Sequence, residues 1–390
     1  VTTDSSRRQF LTGRVAVRPL TPGRPLPREE ATVRLETEAM ACSWAVILNP
    51  GSAEQVMIAA DALDEVRRVE RLLTVFRDDS EVARLNRTAA VAPAAVSPEL
   101  FALLLECQAL YEQTDGAFDP AAQALIELWR ACRLADRIPT QAEIDAALSR
   151  SGFAHVQLWP ADPATGEAQP RVAFEIEGVG LNFGAIGKGY AIDRAAAVLR
   201  ERGMQDFLVH GGRSSLYASG GHAGQLGWPV GLKNPLFTDA SYLTLLLHDQ
   251  ALGTSGSNIQ YFRHGGRRYG HILDPRTGWP AESLLSVSVT APTATEADAL
   301  STAFYVLGLE KARQYCDTHR SVGAILTPPP ERGKRLSPLV CNLPEEQVFP
   351  VSDEVEVLFV AGTADGAESA SPVGLGVTSA AQDGSSPRPT

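Results

Sequence analysis

The stretch "FGAIGKGYAIDR", Phe183 to Arg194, decides which nucleotide folds are open to this chain. Three glycines surround a lysine where a helix over about 186–201 opens. A Walker A loop requires G-x-x-x-x-G-K-[ST]. With Gly187-Lys188 as its GK pair, Asn182 stands where the first glycine belongs and Gly189 where the magnesium-binding hydroxyl belongs. A Rossmann fingerprint fails too, because Gly184, Gly187 and Gly189 are not spaced G-x-G-x-x-G. The physics of the stretch still suits an anion. Glycines let backbone approach a ligand closely, a helix start aims N–H groups at negative charge, and Lys188 adds a point charge. A strand-to-helix turn whose glycines serve packing explains the stretch as well. Given how often short motifs match by chance, the stretch alone favours that reading.

Outward from this turn, strands and helices interleave irregularly. Ser43–Leu48 reads as a strand. Ala53–Phe76 has helical periodicity through Val56, Ala59, Ala60, Leu63, Val66, Val69, Leu72 and Leu73. Ser97 caps a helix that runs to Leu110, with Glu99 early for the dipole. Further helices are expected at Pro120–Cys132, Gln141–Leu148, 295–307 and 309–319. Strands are expected at 153–159, 171–177, 206–210, 214–218, 227–232, 242–248, 251–254 and 284–291. This pattern implies an α+β fold of mostly antiparallel sheets packed with helices, not a βαβ repeat.

Length and composition bound the rest. The 390 residues include 44% apolar and 21% charged residues with a net charge of −11, so a sizeable core can form and a nucleic-acid partner is not expected. Five widely spaced cysteines (Cys42, Cys107, Cys132, Cys316 and Cys341) form neither a disulfide framework nor a zinc motif, and read as small buried hydrophobes. No apolar run reaches membrane-spanning length, so no integral membrane segment is expected. Ser6-Arg7-Arg8-Gln9-Phe10-Leu11 matches a twin-arginine export motif but lacks the apolar stretch that should follow it. The expected location is cytoplasmic, with export open if the native start differs. Residues 1–32 are expected to be a disordered basic, Pro-rich arm, 33–360 a single large folded domain, and 361–390 a disordered Ala/Gly/Ser/Pro tail.

Two more stretches carry chemistry. In "YGHILDPRTGWP", Tyr269 to Pro280, His271 and Asp274 stand beside a Pro/Gly turn. One suits proton transfer, and the other can accept a proton, hold a metal or simply cap backbone N–H groups. In "APTATEADALSTAFYVLG", Ala291 to Gly308, Asp298 and Thr302 are four apart and share a helix face. A carboxylate and a hydroxyl begin a hard-cation site for Mg2+, or belong to an ordinary solvated face.

Taken in order, Asn182…Ala185-Ile186-Gly187-Lys188-Gly189-Tyr190…Asp193-Arg194, then His271-Ile272-Leu273-Asp274-Pro275-Arg276-Thr277-Gly278, then Ala297-Asp298-Ala299-Leu300-Ser301-Thr302 resemble the FAD:protein FMN transferase (ApbE) family. Met40, "FRDDSEVARLN" (Phe76–Asn86) and "TDGAFDPAAQALIELW" (Thr114–Trp129) agree, so the resemblance covers roughly 38–330. It implies an ApbE-like domain in which FAD, as a magnesium complex, is split so that FMN passes to a threonine or serine hydroxyl of a target protein and AMP leaves. It implies metal contacts from Asp298, Thr302 and the backbone at Ala185. It implies FAD contacts from Met40, Phe76, Ala117, Phe118, Asp119, Asn182, Lys188 and Ile272 or Leu273. It gives His271 the proton of the incoming hydroxyl and Asp274 the orientation of its loop. The metal could equally be Mn2+.

The chain departs from the family pattern in three places. Asn182 replaces an Asp, Arg213 in "VHGGRSSLYASG" replaces an acidic or amide residue, and Phe76 replaces a Tyr. The acceptor motif of family targets, D-x-x-[ST]-G-A-[ST], is absent from the chain, so the acceptor is expected to be a separate protein. An FAD pyrophosphatase giving FMN and AMP, and a non-catalytic FAD-binding protein, are the alternative expectations.

Overall fold

Alternating apolar side chains divide the strands of this protein between two cores. In Cys42–Leu48, Trp44, Val46 and Leu48 point into the larger core and Ile47 into the smaller. In Phe207–Gly211, Phe207 and Val209 enter the first and Leu208 the second. That is the two-residue period of a strand buried on both faces. The computed structural model describes residues 17–20, 24–28, 30–162, 166, 168–256, 261–330 and 333–360.

The central sheet has ten strands: β1 (Val17–Pro19), β2 (Val33–Ala39), β3 (Cys42–Leu48), β4 (Phe207–Gly211), β5 (Ser215–Ser219), β6 (Gln250–Gly256), β7 (Ser286–Ala291), β8 (Gly323–Thr327), β9 (Leu339–Cys341) and β10 (Leu358–Val360). From β2 to β9 the strands lie in chain order and pair antiparallel. β10 joins β9 in parallel, and β1 closes the edge antiparallel to β10.

One face of this sheet is covered by helices. Among the described residues the α-helices are α1 (Ala53–Leu73), α2 (Glu81–Thr88), α3 (Pro98–Gln113), α4 (Gln123–Leu134), α5 (Gln141–Leu148), α6 (Gly187–Glu201) and α7 (Ala294–Thr318). The other face is covered by a small sheet of Val348–Pro350, Ser241–Leu247 and Trp228–Lys233. A hairpin, Tyr261–His264 with Arg267–Gly270, and a sheet of Ala94–Ala95, Arg171–Phe174 and Val156–Trp159 complete the fold.

The α+β architecture with mostly antiparallel pairing is as the sequence implies. α7 breaks at Gly308, whose φ of 78° is non-helical, so the expected division into 295–307 and 309–319 is present as a kink. Helix α4 begins at Gln123 and not at Pro120, because the Asp119 carboxylate takes the Ala121 N–H and holds a turn there. The expected disordered arm over 1–32 needs correction at Val17–Pro19. That segment pairs with Leu358–Val360, and Arg18 forms an ion pair with Glu345. The twin-arginine-like Arg7-Arg8 and the expected tail over 361–390 lie outside the described residues.

Candidate active site

The site is assembled where α6 and α7 begin beneath the sheet. Thr293 caps α7 by accepting the Glu296 N–H at 3.2 Å. Asp193 of α6 accepts the N–H groups of Ala294 and Thr295 at 2.8 Å and the Thr295 hydroxyl at 2.6 Å. These bonds satisfy donors that a helix start leaves unpaired, and they lock α7 to α6. Two glycines bring the backbones together. A Cβ at Gly189 would collide with the Ala294 carbonyl, and one at Gly253 on β6 with the Ala297 carbonyl.

This packing buries Asp298 to 3% exposure. Its Oδ1 accepts from Ser215 Oγ at 2.7 Å and its Oδ2 from the Gly189 N–H at 3.1 Å. Lys188 Nζ lies 3.2 and 3.3 Å from the two oxygens. A buried carboxylate is tolerable only with such compensation. One helical turn on, Thr302 Oγ1 lies 3.2 Å from Ser255 Oγ, which is also 2.9 Å from Ser301 Oγ. The result is a group of hard oxygen donors, one anionic, beside one cation. Such a donor set fits Mg2+ or Mn2+, which keep water and substrate oxygens in their shell. It lacks the sulfur and imidazole of a zinc site.

Two hairpin tips flank this group. Met40 and Ala41, at φ 49° and 56°, turn β2 into β3, and Gly212 and Arg213, at φ 61° and 60°, turn β4 into β5. Paired positive φ values mark the tight turn that suits strand twist. Three of these four residues carry a Cβ, which that conformation disfavours. The Met40 N–H is held by Glu70 Oε1 at 2.6 Å. A Cβ on Gly212 would stand 3.1 Å from Cys42 Sγ and 3.8 Å from Lys188 Cδ, so both tips adjoin the lysine.

Ala185 lies in the turn that opens α6, where Gly187 N–H bonds to the Phe183 carbonyl at 2.7 Å. Asn182 leads into this turn. Its Oδ1 accepts the Gly184 N–H at 2.9 Å, its Nδ2 donates to Gln123 Oε1 at 2.7 Å, and its N–H bonds to the Pro120 carbonyl at 2.7 Å. Asn182 is thus wired to the segment that carries Asp119. Asp119 accepts N–H bonds from Ala121 at 2.7 Å and Phe153 at 3.3 Å. Burial pushes its carboxyl up to about 6 against the pull of those bonds. The Ala117 and Phe118 side chains are core residues at 1% exposure, so this stretch presents backbone to anything bound beside it. Phe76 is 76% exposed, with the Arg130 guanidinium 5.3 Å from its ring centre.

His271, Ile272, Leu273 and Asp274 lie on a separate loop that packs on α4 and α5. Trp129 Nε1 donates to the Gly278 carbonyl at 2.8 Å, and a Cβ on Gly278 would press on Ile144 and Leu125. The Asp274 carboxylate accepts twice from the Arg276 guanidinium at 2.8 Å and from the Arg276 N–H at 3.0 Å, closing the turn. His271 is exposed and Ile272 buried. The structure therefore joins Lys188, Asp298 and Thr302 directly, places Ala185 in the turn just ahead of Lys188 and Met40 in a hairpin tip that adjoins Lys188, and keeps Asp274 as a bracket within its own loop.

Sequence reasoning did not single out Ser215, Ser255, Ser301 or the capping role of Asp193. Ser301 had a signal, being three residues from Asp298 on the helix. Ser215 and Ser255 had none, since sheet-to-helix packing alone brings them to α7. A cleft of about 760 Å³ between Asn49, Arg200, Asp206, Ser219 and Asp249 lies at the opposite ends of the same strands and takes no part in this arrangement.

Residues 36–326 match the model of the ApbE family. The chain is 35% identical over 285 residues to an FAD:protein FMN transferase of Treponema pallidum, covering 70% of this chain and 78% of that one. It is 30% identical over 285 residues to one from Salmonella typhimurium, covering 72% and 80%. Its fold is similar to the crystal structure of the ApbE protein of Thermotoga maritima, with a TM-score of 0.68, 29% identity, and coverage of 76% of this chain and 94% of that one.

Proposed function

The chain belongs to the ApbE family and is a transferase that takes flavin from FAD, and on that premise we propose how its own residues perform the transfer. The reaction uses Mg2+, joins FMN to a threonine or serine hydroxyl of a separate protein, and releases AMP. The observation that carries this reading is the buried Asp298 carboxylate, balanced by Lys188 and followed one turn later on α7 by the Ser301 and Thr302 hydroxyls, which Ser255 meets from β6.

Asp298, Thr302 and the Ala185 carbonyl would hold the metal. When bound, the ion supplies charge neutralisation for the pyrophosphate and orients its oxygens. Ser215 and the Gly189 N–H hold the Asp298 carboxylate in one orientation, so a ligand oxygen need not be ordered when metal arrives. Lys188, partnered by Asp298 in the structure, would offer its charge to a phosphate oxygen beside the same carboxylate. The flavin nucleotide is bounded by Met40, Phe76, Ile272 or Leu273, the Ala117–Asp119 backbone and Asn182.

The acceptor hydroxyl oxygen bonds to the FMN phosphorus, and the bond from that phosphorus to the bridging oxygen breaks. AMP departs with the electron pair. His271 receives the hydroxyl proton, a role worth about 10²–10⁴-fold in rate. Asp274, clamped by Arg276, sets the loop that presents His271. The acceptor carries a segment like D-x-x-[ST]-G-A-[ST].

The test is AMP release from FAD and Mg2+, followed by chromatography with and without a carrier domain bearing such a segment. AMP formed only with the carrier supports transfer to protein. AMP formed equally without it would replace transfer with FAD pyrophosphatase activity. FAD bound and left intact would mean a protein that keeps the pocket without the reaction.

A further inference from the structure

A basic hairpin stands directly before His271. Its sequence, "YFRHGGRRYG" from Tyr261 to Gly270, holds three arginines, one histidine and no acidic residue, in a chain of net charge −11. Phe262 pairs with Tyr269 across the ladder, Arg263 with Arg268, and His264 with Arg267. Like charges placed directly opposite each other destabilise a ladder.

The hairpin is anchored from below. The Trp129 ring of α4 packs against Phe262, Tyr269 and Trp279, with ring centres 6.2, 5.9 and 5.6 Å away. Alternation along the strands sends Tyr261, Arg263 and Arg268 to the opposite face. There the Arg268 guanidinium lies 3.8 Å and that of Arg263 5.8 Å from the Tyr261 ring centre. At the tip, Gly265 and Gly266 take φ of 56° and 78°, and a Cβ on either would meet nothing within 4 Å, so the tip projects away from the body. Arg267 has Glu282 at 3.3 Å on the side toward the loop, where the Arg267 side chain remains 63% exposed. A projecting face of arginine on an aromatic base suits a planar anion such as a carboxylate.

The geometry points to the outer face of this hairpin as the docking surface for an acidic segment of the acceptor protein, which it delivers to the adjoining His271 loop. This inference rests on the reading above that the acceptor is a separate protein. Charge complementarity identifies the occupant: the face is basic where the rest of the chain is acidic, so it attracts an anionic partner that the whole surface would otherwise repel.

The test measures binding apart from chemistry, without FAD or metal. Two fluorescent peptides of equal length carry one central threonine each, flanked by Asp and Glu in one and by Asn and Gln in the other. Anisotropy is read with the full chain and with a double variant of the outer face, Arg263→Glu with Arg268→Glu, whose FAD binding is checked separately. The expected result is that the acidic peptide binds at least ten-fold more tightly than its amide twin, weakens as salt rises from about 0.05 to 0.5 M, and loses that advantage in the variant. Should the variant misfold, the salt dependence and the peptide comparison on the native chain decide alone. Equal binding of both peptides, or of acidic peptide by chain and folded variant, overturns the inference. Tight acidic binding here, with no FMN passed to the carrier domain in the separate assay with FAD and Mg2+, would overturn the proposed reaction and leave the docking surface standing.

Discussion

Asp298 is balanced by Lys188, and each constrains what can be done to the other. Lys188→Met leaves a buried carboxylate with only two neutral donors, Ser215 and the Gly189 N–H. Breaking a fully buried pair on one side costs roughly 3–5 kcal/mol, and less here because the Lys188 side chain keeps 23% exposure. A divalent cation bound at the same carboxylate replaces the lost charge, and ligand binding to the folded state alone raises stability. The expected outcome is a Lys188→Met variant that unfolds at lower denaturant concentration in EDTA and recovers part of the loss with millimolar Mg2+. Denaturation curves with and without the ion check this, and equal curves would detach Lys188 from the cation site. Asn182 makes a second case at this scale. Its amide donates to Gln123 and accepts from Gly184, and a carboxylate could do only the second. Asn182→Asp therefore loses the Gln123 bond, at about 1 kcal/mol in thermal unfolding.

Among elements, the junction of α3, α6 and α7 decides where the site stands. Gly189 and Gly253 fix the helix–helix and helix–strand spacing, because a Cβ on either would strike backbone that cannot swing away. Gly189→Ala is expected to lower stability by about 1–3 kcal/mol through overpacking and to lower flavin transfer further, by displacing Asp298. The same junction gathers Glu106, Asp193 and Glu296. Burial, with Asp193 and Glu296 nearby, pushes the Glu106 carboxyl up to about 7. The sign follows from proton binding: between the ordinary carboxylate range and about 7 the folded chain holds the extra proton. Stability contributed there is present at low pH and is lost as pH rises through 7. Glu106→Gln should stabilise the fold at pH 8 by about 1 kcal/mol after allowance for solvent screening, read as a higher melting temperature, and leave the melting temperature unchanged near pH 4. A constant difference across that range would assign the effect to packing.

Legibility in the sequence follows the same divide between local and distant causes. The α7 break at Gly308, the α6 start at Gly187 and the Asp298–Thr302 spacing were readable, because each depends on residues within a turn or two. β2 was readable too, since Val33, Leu35, Thr37 and Ala39 alternate with charged residues, yet it was passed over. Helix α2 has too few apolar residues to announce itself and is held by its Ser80 cap, which accepts the Ala83 N–H at 2.9 Å. Ser215 and Ser255 reach α7 only across the assembled sheet, so no window of sequence contains their partner. The motif order suggested the family, while the wiring of Asp119 to Asn182 through Pro120 and Gln123 required the fold.

At the scale of the molecule, the family match ends at residue 326, close to the end of β8, while the sheet continues into β9, β10 and β1. The edge is closed from the front of the chain. β1 covers β10, Arg18 bridges to Glu345, and Arg24 donates to the Glu345 and Glu346 carbonyls at 2.9 Å while lying 4.6 Å from the Phe349 ring centre. Deleting residues 1–24 uncovers the backbone of β10, and an open strand edge invites pairing with another chain. The expected result is a loss of about 1–3 kcal/mol, at roughly 0.5–1.5 kcal/mol per lost hydrogen bond with partial recovery by solvent. Concentration-dependent association should appear in light scattering. A monomer of unchanged stability would show that the edge needs no cover.

We propose that the oxygen cluster around Asp298 drives passage of FMN to a protein hydroxyl. The most direct measurement is the intact mass of a carrier domain after incubation with FAD, Mg2+ and either the native chain or Asp298→Ala. Fragmentation then locates the added group. The account predicts one FMN on the carrier threonine with the native chain, none in EDTA, and none with Asp298→Ala although that variant stays folded. A carrier flavinylated at the same rate by Asp298→Ala would contradict it.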